Sequence, residues 1–213
     1  MPIYGDLACL LFVLIMKKEE IYSKPIVEFT TMAHEYCVLM ENVDKYSKVD
    51  FIKVSARLLP LLYVRASLLP ENVATVLDDE LEEFVDEFAY ENVRKAIRRK
   101  LTRHDEYLEV FKDDMQRSEE PVPANISEDM ADIFQDLMNY CEQFRLGIED
   151  VQNDAIVCVG EKFRNYWGQR LCNALRALHC ALYSGDDLSD EKASSDEAEQ
   201  LPAWAQDIMR DDD

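Results

Sequence analysis

With 213 residues, five glycines, seven prolines and a 48% apolar share, the chain can fill one good-sized core but lacks the turn residues of a sheet-rich fold. All-α is the expected class: a single bundle of about five to seven helices. Forty-four acidic against 23 basic residues give a formal charge of −21, which repels polyphosphates and anionic bilayers and argues against nucleic-acid and membrane partners.

The chain opens on an apolar run, Leu7 to Met16 (LACLLFVLIM). It is about half as long as a membrane span requires. Asp6 before it and Lys17-Lys18 after it are the wrong flanks for a signal peptide, and the run follows Cys9 instead of preceding it, unlike a lipoprotein site. Met16 is therefore the expected native start, with residues 1–15 an upstream extension. The expected organisation is an N-terminal extension over 1–20, a helical domain over 21–183, and a disordered acidic tail over 184–213.

Ser23 and Pro25 make a helix start, since proline costs little where the first N–H groups have no partner. Ile26, Phe29, Met32, Ala33, Tyr36, Cys37, Met40 and Val43 then recur at helical spacing to about Asp44. Ser47 can cap a second helix running to Leu68 with Phe51, Val54, Leu58, Leu61 and Leu62 inside, and Pro70 closes it. An interior proline costs about 3 kcal/mol, so Pro60 predicts a kink or a split. Residues 71–85 read as an acidic loop. A third helix spans about Asp86 to Leu101 and ends in a basic island of Arg94, Lys95, Arg98, Arg99, Lys100 and Arg103, placed where cations complement the helix dipole. This island could meet an anionic ligand or the acidic tail.

His104 to Met130 reads as a short aromatic turn and a proline-rich loop. Ser127 then caps a helix with Glu128 and Asp129 in its first turn, Met130, Ile133, Phe134, Leu137, Tyr140, Cys141 and Phe144 on its apolar side, and Gly147 at its end. A last helical region runs from Ile148 to Tyr183, with a break expected near Gly160 or Gly168. The tail beyond Ser184 is too polar to fold alone. Its exception is LPAWAQDIM, where Leu201, Trp204 and Ile208 lie one helical face apart and could dock in a groove of this protein or of a partner.

Two further sets of residues invite a functional reading. In Tyr166 to Tyr183 the apolar side is Trp167, Leu171, Ala174, Leu175, Leu178 and Leu182; the other carries Tyr166, Gln169, Asn173, Arg176, Cys180 and Tyr183. A face of phenols, amides and a guanidinium is unusual for a solvated helix, and suggests either a binding surface or a polar seam. Asp129, Asp132 and Asp136 share one helix edge at i, i+3 and i+7, where a divalent cation could bind if Glu149, Asp150 and Asp154 faced them. A solvated helix face is the plainer reading of that edge.

The remaining chemistry is thin. Three histidines are too few for a His-rich metal site: His34 lies beside the apolar face of the first helix, His104 opens a turn, and His179, at the border of two helix faces, suits a packing role. Six cysteines at 9, 37, 141, 158, 172 and 180 form no C-x-x-C pair, which fits reduced thiols in a cytoplasmic protein. Neither a nucleophile turn nor a phosphate loop is present, and no cofactor is expected.

LLPLLYVRASLLP (Leu58 to Pro70), HDEYLEVF (His104 to Phe111), ISEDMADIFQDL (Ile126 to Leu137) and YWGQRLCNALRALH (Tyr166 to His179) together resemble a bacterial family known as domain of unknown function 5063. The resemblance covers about Ile21 to Tyr183. It implies a soluble, mainly helical, intracellular bacterial domain, and it brings no activity, substrate or catalytic residue.

The leading expectation is a non-enzymatic interaction or binding module, with a protein partner docking near the polar stripe of the last helix. One alternative is a metal-dependent phosphohydrolase using Asp129, Asp132 and Asp136. Another is a small-molecule-binding bundle whose pocket is lined by Trp167, Gln169, Asn173 and Arg176.

Overall fold

A computed structural model describes residues 16–109 and 122–188 together with Trp204. The apolar run before Met16, and Leu201 and Ile208 of the tail motif, lie outside the described residues. The helical elements are α1 (Lys18–Ile21), α2 (Lys24–Glu41), α3 (Lys48–Ala66), α4 (Glu87–Leu101), α5 (Ile126–Arg145), α6 (Glu149–Lys162) and α7 (Gly168–Tyr183). The all-α bundle is as expected, and among the described residues no helix is long and apolar enough to cross a membrane.

The first helices follow their apolar spacing. In α2, Ile26, Phe29, Ala33, Tyr36, Cys37 and Met40 are buried, and Val43 joins the core from a 3-10 turn that finishes the element. Ser47 caps α3 as expected, accepting the Asp50 N–H at 3.1 Å. Pro60 does not split the helix, which runs unbroken through it. Leu61 is not core: it is exposed, as are Val64 in the same helix and Leu68 just beyond its end.

Asp86 caps α4 through the Ala89 N–H, and the basic island at the other end is anchored locally. The Lys100 ammonium donates to the Tyr46 carbonyl at 2.5 Å, and Arg99 lies 3.2 Å from the Asp44 carboxylate. The beginning of the tail returns to this corner. Arg103 reaches the Asp187 carbonyl at 3.5 Å, and Leu188 is buried.

The stretch expected as turn and loop contains a β-hairpin, β1 (Glu106–Glu109) paired antiparallel with β2 (Val122–Asn125), with Glu106 opposite Asn125 and Glu109 opposite Val122. Pro123 sits in β2, a position open to proline because among the described residues this sheet has two strands and β2 is an edge. The hairpin also changes the start of α5. Asn125, not Ser127, precedes the first turn, and Ser127 is buried and donates its N–H and its hydroxyl to the Asp105 carboxylate, both at 2.7 Å. The capping acid therefore comes from the residue before β1.

Helix α5 is the centre of the bundle, packed against α2, α4, α6 and α7, while α3 closes the far side against α2 and α7. Gly147, at φ +72°, ends α5 in a conformation that suits glycine. Helices α6 and α7 are joined by a π-helical turn over Phe163–Trp167, so the expected break falls at Gly168 and takes the form of a widened turn.

The acidic stretch between α3 and α4 has no regular structure, yet its backbone is not left to solvent. The Asn139 Oδ1 accepts the N–H groups of Phe84 and Val85, and the Asp154 carboxylate accepts those of Val76 and Leu77. Asn153 Nδ2 donates to the Ala74 carbonyl and Gln143 Nε2 to that of Glu82. Four buried polar side chains of α5 and α6 thus do for this loop what a ladder does for a strand.

Candidate functional site

The acidic edge of α5 is not a solvated face. Asp129, Asp132 and Asp136 are all buried, with Asp129 only 1% exposed. Burying three carboxylates on one helix is tolerable only if donors meet them, and donors arrive from five other elements. Tyr107 of β1 donates its hydroxyl to Asp129 Oδ2, and Arg170 of α7 places Nη1 3.1 Å from Asp129 Oδ1. Asp132 accepts from Tyr90 of α4 at 2.8 Å and from Tyr166 of the π turn at 2.6 Å, and the Arg170 Nε lies 3.5 Å away. Lys162, at the end of α6, holds Asp136 Oδ1 at 2.7 Å.

The electrostatics follow from this crowding. Burial pushes the Asp129 carboxyl up to about 6, even though the Tyr107 hydroxyl and Arg170 both pull it down. Burial, with the Asp132 carboxylate it donates to, pushes the Tyr166 phenol up to about 12. The same two causes raise Tyr90, and burial with the Asp129 carboxylate raises Tyr107. Burial alone would lower the Arg170 guanidinium, but Asp129 and Asp132 beside it hold it above its ordinary range. Every phenol in the seam is thus a hydrogen-bond donor at neutral pH.

This arrangement does not assemble the divalent site considered from spacing. The oxygens of Asp129 and Asp132 already accept protein donors, which a cation would have to displace. The second acidic wall does not face them either: Asp154 is turned to the loop backbone, and Glu149 pairs with Lys18 at 3.1 Å. Among the described residues, no three His, Cys, Asp or Glu side chains gather at metal-binding range.

The expected binding face of α7 divides in two. Tyr166, Gln169 and Arg176 lie at the surface, as do Cys180 and Tyr183. Arg176 donates to the Leu108 carbonyl at 2.6 Å, with its guanidinium over the Tyr107 ring, so it ties α7 to the hairpin. Asn173 points the other way, buried with Nδ2 lacking a hydrogen-bond partner among the described residues. Trp167 is fully buried, its indole N–H donating to the Val159 carbonyl at 3.1 Å and its ring packed on Phe163 and near Phe29. Trp167 and Asn173 therefore do not share a surface pocket with Gln169 and Arg176. Trp204 packs, half-buried, against the core.

Sequence reasoning missed Tyr90, Tyr107, Lys162 and Arg170, the residues that neutralise the α5 edge. Arg170 lies one turn after Tyr166 and could have been read as its neighbour; the other three carried no local signal.

A family model described as a domain of unknown function, DUF5063, matches residues 20–184. The crystal structure of protein BF1032 from Bacteroides fragilis is similar to this chain, at 34% sequence identity and a TM-score of 0.69, covering 78% of this chain and 97% of that one. No curated protein matches the chain.

Proposed function

We propose a function for this chain, which belongs to the DUF5063 family: it is a binding module that presents the outer face of the π turn and α7 to a protein partner. The observation carrying the proposal is that this surface is held from beneath. Tyr166 is 44% exposed, yet its hydroxyl is fixed by Asp132 and its ring lies under the Arg170 guanidinium, 5.4 Å from the centroid. Arg176 is fixed in turn by the hairpin, and the His179 ring packs at a tilt against Tyr183, which is 71% exposed. Tyrosine and arginine dominate interface hot spots because they offer large contact area, and side chains ordered before binding lose less entropy on docking.

The phosphohydrolase alternative draws less support, because the oxygens of Asp129 and Asp132 and one oxygen of Asp136 are already occupied by Tyr90, Tyr107, Tyr166, Arg170 and Lys162. A bacterial cytoplasmic setting accords with the family resemblance and with the thiols of Cys37, Cys141, Cys158, Cys172 and Cys180, all unpaired.

The test is affinity capture with the full chain and with a Gln169→Ala/Tyr183→Ala variant. Both positions are exposed, so the variant should melt within about 2 °C of the parent. The expected result is a partner retained by the parent and lost by the variant. Equal capture by both proteins, or no specific partner for either, would overturn the proposal.

A further inference from the structure

The loop over 71–85 leaves a cleft of about 530 Å³ against α5 and α6, on the opposite end of the carboxylate edge from the Arg170 cluster. Asp78, Asp79, Glu80 and Glu83 line it from the loop, and Asp136 and Glu161 line it from the helices. Lys162 is the single basic side chain on these walls among the described residues. Leu77, Leu81 and Val159 supply an apolar part of the lining.

Asp136 is what distinguishes this cleft from an ordinary acidic surface. It is nine-tenths buried, Lys162 satisfies Oδ1, and Oδ2 has no hydrogen-bond partner among the described residues. A buried carboxylate oxygen without a donor is costly, and a donor brought by a ligand would relieve it. Burial pushes the Asp136 carboxyl up while Lys162 pulls it down, so a second cation would favour its ionised form.

The shape argues for an organic cation over a metal ion. The loop carboxylates Asp78, Asp79, Glu80 and Glu83 are exposed and form the rim of the cleft, and the described residues contain no three-ligand cluster at metal range. A single dehydrated ion would leave most of the volume unfilled. An ammonium brings three N–H donors to such carboxylates, and methylenes between ammonium groups can cover the apolar part of the lining. We propose that this cleft binds a linear alkyl polyamine, one ammonium donating to Asp136 Oδ2 and another reaching the Glu80 and Glu83 side of the rim. The site is separate from the α7 surface, and the inference does not depend on the partner proposed there.

Calorimetric titration of the full chain with spermidine tests it, against Asp136→Asn, a rim variant Glu80→Lys/Glu83→Lys, and a control Glu19→Lys/Glu41→Lys. The rim and control pairs are exposed and change the net charge equally, so they separate a site from general attraction to an acidic protein. The expected result is saturable one-to-one binding, weakened about tenfold or more by Asp136→Asn and by the rim variant, and less than about twofold by the control. MgCl₂ should compete no better than NaCl at the same ionic strength. If Asp136→Asn fails to fold, the rim variant against its control decides. The proposal is overturned by no saturable binding at millimolar spermidine, by equal weakening in the rim and control variants, or by displacement specific to Mg²⁺.

Discussion

Asp129 shows how burial and pairing compete at a single residue. It has two protein donors, yet burial prevails and its carboxyl rises from 3.8 to about 6. Because the folded-state value is the higher one, the folded protein binds the extra proton between these limits. The contribution to stability is therefore complete below about pH 4 and lost as pH rises through about 6, by at most about 3 kcal/mol. Asp129→Asn should remove that dependence. Urea denaturation from pH 4 to pH 7 should find the variant's deficit largest at the acid end and shrinking towards neutrality; a constant deficit would refute the assignment. The spacing of Asp129, Asp132 and Asp136 was legible as one helix edge. That this edge faces inward was not, because Tyr107 and Arg170 approach Asp129 from 22 and 41 residues away.

At the scale of elements, the π turn shows most clearly how a local sequence choice reaches the candidate site. Gly168 has an ordinary helical φ of −64°, so its conformation does not require glycine. Space does: a Cβ there would stand 2.4 Å from the Phe163 carbonyl oxygen and 2.9 Å from its ring. Gly168→Ala should therefore destabilise the fold by about 2–4 kcal/mol, or tighten the turn and draw Tyr166 away from Asp132. Thermal melts read the first effect and the Tyr166 ring resonances the second; a variant unchanged in both would contradict the packing argument. Glycine at this point signalled a break in the helix, but its form depends on Phe163 lying across the turn. The hairpin was hidden for a different reason. Two four-residue strands, one containing Pro123, carry too little alternation to register, and their pairing is fixed where Asp105 binds Ser127.

Across the whole molecule, a formal charge of −21 is carried by a bundle whose centre also contains carboxylates. Each of the α5 carboxylates meets at least one local donor, whereas the acidic loop and surface repel one another through solvent, where salt screens. Raising NaCl from about 20 to 300 mM should raise the melting temperature by several degrees, since screening weakens the repulsion more than the buried pairs. A falling melting temperature would mean that exposed pairs such as Arg99–Asp44 and Lys18–Glu149 outweigh it.

The sequence by itself determined the class, the order and the approximate ends of the long helices, the family, and the apolar seam from Trp167 to Leu178, because each rests on local periodicity, capping or composition. Tertiary structure alone decided which polar residues turn inward. Asn139, Asn153 and Asp154 look like any surface amide or acid until the loop over 71–85 presents its N–H and carbonyl groups to them. Likewise the aspartates of α5 become a seam only where five other elements converge on one helix. A buried hydrogen bond joins residues that folding makes neighbours, and no spacing along the chain encodes that meeting.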